Sequence, residues 1–366
     1  MINAIVLNPV INNYNNKNYI EYRIIETSNL AEAINIKVLH QETFSLKKPD
    51  PGNLFRKGRI ECIKNTLNYL SENSKVDIII FCIDLSPIQQ RNLEKVWNVK
   101  VLDRTALILE IFGARAVTKE GSLQVELAHI SWQKTRLVRS WTHLERQRGG
   151  RGFLGGPGEL QIELDKRHIT SRIKRIKKEL EKVRKTRELQ RNKRKQLYPL
   201  VSLIGYTNSG KSTLFNKITG ATEFTKNMVF ATLDPKHRIV SLSRDDNFIL
   251  SDTVGFISNL PTELIESFKS TLDEILYADL IIHVRDISHE DYYSQNEDVQ
   301  SVIRQIFGYD KGEMPTNYIE VINKIDKLQV VERKQLNTKN KIYLSALTGL
   351  GINNLKKNIF DLIKNN

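Results

Sequence analysis

The rhythm of hydrophobic and polar positions changes three times along the 366 residues. Up to about residue 103, strand-length apolar runs (AIVLN at 4–8, VDIIIFCID at 76–84, VKVL at 99–102) are interleaved with helix-like stretches such as PIQQRNLEKVW at 87–97. That mixture predicts a small α/β unit. From Leu109 the pattern becomes helical. Leu123, Leu127, Ile130, Leu137, Trp141 and Leu144 recur at spacings of three, four and seven, and Ile169, Ile173, Ile176, Leu180 and Val183 do the same. Each set is the apolar seam of an amphipathic helix, and two seams of equal period joined by a short loop pack best on each other as an antiparallel hairpin. Trp132 and Trp141 are read as seam or core residues of those helices.

Beyond Pro199 the chain alternates between strands (LVSLIGY, HRIVSLS, NFILSDT, DLIIHVRD, YIEVINK, KIYLSAL) and helices (STLFNKIT, LIESFKSTLDEIL, NNLKKNIFDLI). Alternation of this kind predicts a mostly parallel sheet of six strands with helices on both faces. One antiparallel pair is expected around 237–252, where the turn-prone SRDDN joins two strands. The fold class is therefore α/β: an N-terminal α/β domain over 1–103, a long helical hairpin of coiled-coil type over 104–196, and a second α/β domain over 197–366.

Charge changes the picture more than composition does. The apolar fraction of 40% is ordinary for a globular protein, and no apolar run approaches the roughly 20 residues a membrane helix needs. MINAIVLNPV lacks the features of a secretory signal. A cytoplasmic monomer is expected, with no membrane insertion and at most loose attachment to a membrane surface. Cys62 and Cys82 are too few for a disulfide framework, and neither is a metal or nucleophile candidate. The net charge of +14 is concentrated between Lys166 and Lys195, where about fifteen Lys or Arg face three acids. A stripe of that density suits a polyanion, most often nucleic acid.

GGRGFLGGPG at 149–158 holds six of the eighteen glycines and forms the expected tip loop of the hairpin. Gly150, Gly152 and Gly155 satisfy G-x-G-x-x-G, but that fingerprint has a mechanism only where a strand enters the loop, and here a helical pattern precedes it. A nearly side-chain-free tip suits a narrow cavity lined by RNA. Arg151 can pair with phosphate or base, and Phe153 can stack on an exposed base.

The catalytic chemistry lies further on. GYTNSGKST at 205–213 is G-x-x-x-x-G-K-S between an apolar strand and a helix. Gly205 and Gly210 let the backbone curl so that its N–H groups face phosphates, with Tyr206, Thr207, Asn208, Ser209 and Thr213 completing the cradle. Lys211 reaches the terminal phosphates, and the Ser212 hydroxyl ligates Mg²⁺. SDTVGF contributes Asp252, which holds Mg²⁺ through water, and Gly255, whose amide meets the γ-phosphate. In FATLDP, Thr232 offers a hydroxyl to Mg²⁺ and an amide to the γ-phosphate. Lys211, Thr232 and Gly255 are the candidate catalytic residues.

NKID at 323–326 selects the base: Asp326 accepts two hydrogen bonds from guanine that adenine cannot offer, while Asn323 and Lys324 brace the base and the phosphate loop. In the last motif, Ser345, Ala346 and Leu347, the Ala346 amide is placed to meet the guanine oxygen. The five elements in this order predict a P-loop GTPase domain that uses GTP and Mg²⁺. Phe256 follows Gly255 where Ras-like enzymes carry a water-orienting Gln, so hydrolysis is expected to be slow until a partner assists.

Longer blocks carry a more specific resemblance. DLSPIQQRNLE, VLDRTALILEIFGARA, EGSLQVELA, WTHLERQRGGRGFLGGPGE, LVSLIGYTNSGKSTLFNKIT, FATLDP and DTVGFISNLPTELIESFKSTLDE resemble the HflX group of ribosome-associated translational GTPases, over nearly the whole chain. The resemblance implies an α/β domain and a helical hairpin coupled to a GTPase domain. It also implies binding to the large ribosomal subunit and its rRNA, through hairpin loop and basic helix, and the splitting of stalled ribosomes. A large-subunit assembly factor and a GTP-gated RNA-binding scaffold with little turnover are the alternatives. Three departures stand out: Arg56 replaces an expected glycine in FRKGRIECI, Leu160 replaces the usual Thr after the glycine loop, and the C-terminal domain of some members is expected to be missing.

Overall fold

The computed structural model describes residues 2–11, 17–147, 157–195, 198–221, 230, 232–233, 235–241, 247–258, 264, 267, 269–328 and 341–364. Arg151 and Phe153, the segment 149–156 and the turn residues 243–246 lie outside this set, as do the side chains of Trp141 and Leu144. By packing, the chain forms two units. One comprises Met1–Ala114 and Ser122–Leu180, the other Arg115–Gly121 and Glu181–Asn366.

In the first unit, strands β1 (Ile2–Ile11), β2 (Ile36–Leu46), β3 (Ile78–Phe81) and β4 (Lys100–Leu102) form a parallel sheet in the order β2-β1-β3-β4. Strand β3 reads as an unbroken apolar run, and so does β1 over Ala4–Leu7, because helices cover both faces of a parallel sheet. The edge strand β2, not singled out by the sequence pattern, mixes polar residues with few apolar ones and buries only Ile36 and Phe44.

Four helices accompany this sheet: α1 (Lys17–Glu32), α2 (Lys57–Ser71), α3 (Pro87–Trp97) and α4 (Arg104–Arg115). Helix α3 starts where it does because Ser86 and Gln89 form a reciprocal capping box with Pro87 in the first turn. It stops at Asn98, which takes the left-handed conformation. Its final Trp97 stacks 6.4 Å from Phe81 and donates its indole N–H to the Ile60 carbonyl at 3.1 Å, which satisfies the polar end of a buried aromatic.

The predicted seams become α5 (Lys119–Gln147) and α6 (Pro157–Lys195), helices of 29 and 39 residues. Pro157 and Gly158, assigned to the tip loop by sequence, are instead the first residues of α6, because proline suits a helix start. Leu127, Ile130 and Ile176 are buried together, with Leu123, Ile169, Ile173 and Leu180 against them. Glu126 pairs with Arg172 and Glu120 with Arg187, so positions rise on one helix as they fall on the other. Trp132 is half-buried rather than central to the seam, with the Arg136 guanidinium 4.5 Å above its ring.

The second unit holds the predicted six-stranded sheet, in the order β10-β9-β8-β5-β7-β6. Its strands are β5 (Leu200–Ile204), β6 (Lys236–Ser241), β7 (Asn247–Asp252), β8 (Leu280–Asp286), β9 (Tyr318–Asn323) and β10 (Ile342–Tyr343). All pairs are parallel except β6 with β7, the pair the sequence marks as antiparallel. Among the described residues, helices α7 (Lys211–Thr219), α8 (Lys269–Leu276), α9 (Tyr292–Phe307) and α10 (Ile352–Lys364) accompany it. Leu214, Phe215 and Ile218 of α7 and Ile352, Leu355 and Ile359 of α10 cover β5 and β8 in one core. Among the described residues, no helix is long and apolar enough to cross a membrane.

The seam yields a stability prediction. Ile176→Ala removes the most buried contact of α6 and should destabilise the first unit by about 2–5 kcal/mol. Its exposed neighbour Lys177→Ala should stay within about 0.5 kcal/mol of wild type. Urea unfolding followed by circular dichroism checks the contrast, and equal effects would show that the seam does not pack.

Candidate functional site

Strand β5 is central in its sheet, and its carboxyl end lies where neighbouring connections diverge to β7 and β8, the place where open α/β sheets accept ligands. The chain leaves β5 through residues 205–210 and enters α7, whose N-terminal amides and dipole favour an anion. Gly210 has φ +94°, and a Cβ there would collide with Asn323 Nδ2, so only glycine fits. The Lys211 ammonium is buried and donates to the carbonyls of Gly205 at 3.1 Å and Tyr206 at 2.8 Å. Burial pulls its pKa down to about 8; the Asp252 charge opposes that and Lys324 reinforces it.

Next to it, three oxygens converge. Ser212 Oγ and Thr232 Oγ1 donate to Asp252 Oδ2 at 2.7 and 2.8 Å and lie 3.2 Å from each other. Burial pushes the Asp252 carboxyl up, against the charge of Lys211 and the two hydroxyl donors. Its buried Oδ1 has no hydrogen-bond partner among the described residues. Two hydroxyls and one carboxylate with an unused buried oxygen are a hard-oxygen set that fits Mg²⁺, which takes few protein carboxylates and completes its shell with phosphate and water. Among the described residues no cluster of three or more His, Cys, Asp or Glu offers a competing metal site.

The loop from Asp252 to Ser258 is tied directly to the phosphate loop. Thr207 N–H donates to the Phe256 carbonyl at 2.7 Å, Phe256 N–H to the Gly205 carbonyl at 3.0 Å, and Ser258 N–H to the Tyr206 hydroxyl at 2.8 Å. The approach is so close that a Cβ on Gly255 would sit 2.9 Å from Thr207 Cα and 3.0 Å from Lys211 Nζ. Phe256 is 3% exposed and does not line the cavity. Its absence of a water-orienting group therefore accompanies a packing role that the sequence did not reveal. Asp252, Tyr206, Gly205 and Ser209 also stand behind the cavity wall rather than on it.

At the far end, Asn323 Nδ2 donates to the Ser209 carbonyl and its Oδ1 accepts from Ala346 N–H, both at 2.9 Å. The Ala346 amide, expected to face a guanine oxygen, is thus engaged by Asn323, because a buried N–H takes a partner from its own chain. Lys324 Nζ lies 2.6 Å from Asp286 and donates to the Asn208 carbonyl at 2.8 Å. Ser345 is buried and accepts from Thr348 N–H. Asp326 faces the cavity beside Leu347.

These parts enclose a cavity of about 330 Å³ reaching from Lys211, Ser212, Thr213, Thr232 and Gly255 to Asn323, Lys324, Asp326, Ala346 and Leu347, with Thr207 and Asn208 between them. Sequence reasoning missed three of its lining residues, Phe230, Thr253 and Lys327. Phe230 and Thr253 lie inside motifs it recognised and Lys327 directly follows one, so position within or beside a motif was the available signal.

The buried ammonium gives a measurable pH dependence. Lys211 is protonated in the unfolded chain up to its ordinary 10.5 but loses its proton near 8 in the folded one. Between those values the unfolded state binds more protons, so this lysine's contribution to nucleotide-free stability rises with pH. Lys211→Met should flatten that rise. Urea midpoints at pH 7.5 and 9.5 check it, and equal slopes in both proteins would refute the burial argument.

Three family models tile the chain: "GTP-binding GTPase N-terminal" over residues 21–113, "GTP-binding GTPase Middle Region" over 115–194 and "50S ribosome-binding GTPase" over 200–324. The chain is 46% identical over 332 residues to GTPase HflX of Magnetococcus marinus, an alignment covering 89% of this chain and 74% of that protein. It is 43% identical over 332 residues to GTPase HflX of Escherichia coli K12, covering 89% and 76%. The solved structure of SsGBP with GDP shares the fold at a TM-score of 0.52 and 24% identity, covering 100% of this chain and 99% of that one. With a P-loop cavity in place and this identity sustained across most of its length, the chain belongs to the HflX family of GTPases.

Proposed function

We propose that this GTPase uses Mg²⁺, binds the large ribosomal subunit and dissociates stalled ribosomes, its hydrolysis being stimulated by the ribosome. The observation that carries the reading is a cavity lined by Lys211, Ser212 and Thr232 at one end and by Asn323 and Asp326 at the other, in a chain that also bears a densely basic helix, α6. The match of residues 200–324 to a ribosome-binding GTPase model supports the choice of partner.

In this reading the amides of the 205–213 loop and the Lys211 ammonium hold the terminal phosphates. Ser212 and Thr232 are the direct metal ligands, and Asp252 acts through water. When bound, the metal neutralises charge that builds on the phosphate oxygens. The Gly255 and Thr232 amides orient the γ-phosphate, and Asp326 accepts from the guanine N1–H and amine. Among the described residues the one carboxylate on the cavity wall is Asp326, at the end given to the base, so positioning of the attacking water falls to the partner. The basic stripe follows rRNA phosphates with strong salt dependence, and Arg151 and Phe153 enter an RNA-lined cavity.

Turnover measured with and without purified large subunits tests this directly. Isolated protein should turn over well below the roughly 1–100 s⁻¹ typical of kinases, and large subunits should raise the rate. Fast turnover alone, unchanged by subunits, would overturn it.

For the base, Asp326→Asn should weaken GTP roughly 10- to 1000-fold, at about 1.5–3 kcal/mol per lost hydrogen bond to a charged group, and partly rescue xanthosine triphosphate. Unaltered selectivity in a competition assay would remove Asp326 from the site. For the loop, replacing residues 149–158 with a short Asn-Gly turn should leave GTP affinity intact and abolish ribosome-stimulated turnover and splitting. Full ribosome-dependent activity in that variant would make the segment a mere connector.

A further inference from the structure

Outside the cavity, the second unit contains an ionic cluster around a buried carboxylate that the reaction as described does not use. Glu274 on α8 is 5% exposed. Its Oε2 lies 2.7 Å from His237 Nε2 of β6 and accepts from the Ser251 hydroxyl of β7 at 3.1 Å. Its Oε1 lies 4.0 Å from Arg187 Nη1 of α6, and the same guanidinium reaches Glu120 Oε2 through Nε at 2.7 Å. Burial alone would raise the Glu274 carboxyl; the His237 hydrogen bond and charge, the Arg187 charge and the Ser251 hydroxyl together hold it below its ordinary value.

The position of this cluster matters. His237 and Ser251 are register partners across β6 and β7, and the next pair is Lys236 with Asp252. The Glu274 carboxylate therefore grips both strands one residue away from the carboxylate that holds Ser212 and Thr232. Strand β6 begins four residues after Thr232, and α8 follows the segment that starts at Gly255. Both chain segments that flank the γ-phosphate end of the cavity thus converge on one carboxylate, and the Arg187 guanidinium of the basic helix lies within ion-pair distance of it, its buried Nη1 making no hydrogen bond among the described residues.

We infer that Arg187 and Glu274 are positioning residues for the nucleotide site, through which the basic helix α6 and the Asp252 end of the cavity set each other's state. A purely architectural tie offers no reason for the carboxylate to bridge Ser251 and His237 at the residue next to Asp252; an exposed pair on α8 would anchor α6 equally well. A shift of the Asp252 segment on exchange of GTP for GDP moves Ser251, and a buried charge network responds by repairing or breaking contacts rather than by gradual stretching. By linkage, whatever holds α6 in one arrangement changes the relative affinity for the two nucleotides by the same factor.

The inference rests on the cavity being a GTP site, and one experiment separates the two. Affinities for a non-hydrolysable GTP analogue and for GDP, both with Mg²⁺, are measured for wild type, Arg187→Gln, Glu274→Gln and the double variant, together with kcat and KM. The GTP-to-GDP affinity ratio should shift roughly fivefold or more in each single variant, the low end of a typical allosteric coupling. Arg187→Gln should add nothing in the Glu274→Gln background. An unmoved ratio, or additive effects in the double variant, would overturn the coupling. Loss of nucleotide binding in the wild type itself would instead fail the functional reading. Where Arg187→Gln does not fold, Arg187→Lys, which keeps the charge but lacks the two-armed fork, goes through the same cycle with the same two outcomes.

Discussion

The nucleotide cavity depends on one buried side chain, the Asn323 amide. A loop that aims its N–H groups at a ligand leaves its carbonyls pointing back into protein, where an unpaired polar group costs free energy. Asn323 resolves this by donating to the Ser209 carbonyl while accepting from the Ala346 amide, so the phosphate loop and the base loop share one support. The support stands so close to the loop that position 210 must be glycine. Lys324 then repeats the device from outside, bridging Asp286 and the Asn208 carbonyl. The motif residues at 323 and 324 thus act first on the backbone of residues 208 and 209, more than a hundred positions earlier in the chain.

A second tension is electrostatic. Lys211 and Asp252 are both buried, and burial disfavours the charged form of each. In the folded chain the ammonium is held by two carbonyls and the carboxylate by two hydroxyls, with one carboxylate oxygen left over among the described residues. In the proposed reading such a site is organised for charges that the protein does not itself supply, a phosphate for the lysine and a cation near the carboxylate. The Glu274 cluster extends this organisation one residue outward, through Ser251, to a helix that carries much of the molecule's positive charge.

The hairpin balances two demands on one helix. Ile169, Ile173, Ile176 and Leu180 give α6 an apolar stripe against α5, whereas half of the residues from Lys166 to Lys195 are Lys or Arg. The ion pairs within α6, such as Arg175 with Glu179, are exposed and contribute little, while the pairs of Glu126 with Arg172 and Glu120 with Arg187 add to the apolar seam across the hairpin.

Much of this was legible in the sequence because the signals are local. Six strands and their one antiparallel pair follow from apolar run length, the two long helices from seams of period 3.6, and the cavity's main residues from motifs whose spacing is set by short backbone turns. Strand β2 and helix α9 escaped because their patterns are weak: β2 buries only Ile36 and Phe44, and α9 buries Gln295 alongside Val299 and Ile303. What only the tertiary structure decided are contacts between segments far apart in sequence. The packing role of Phe256, the capture of the Ala346 amide by Asn323, and the meeting of Arg187, His237, Ser251 and Glu274 depend on how strands register and helices land on them. A sequence pattern reports which face of an element is buried; which partner a polar group meets there is fixed by the fold that closes over it.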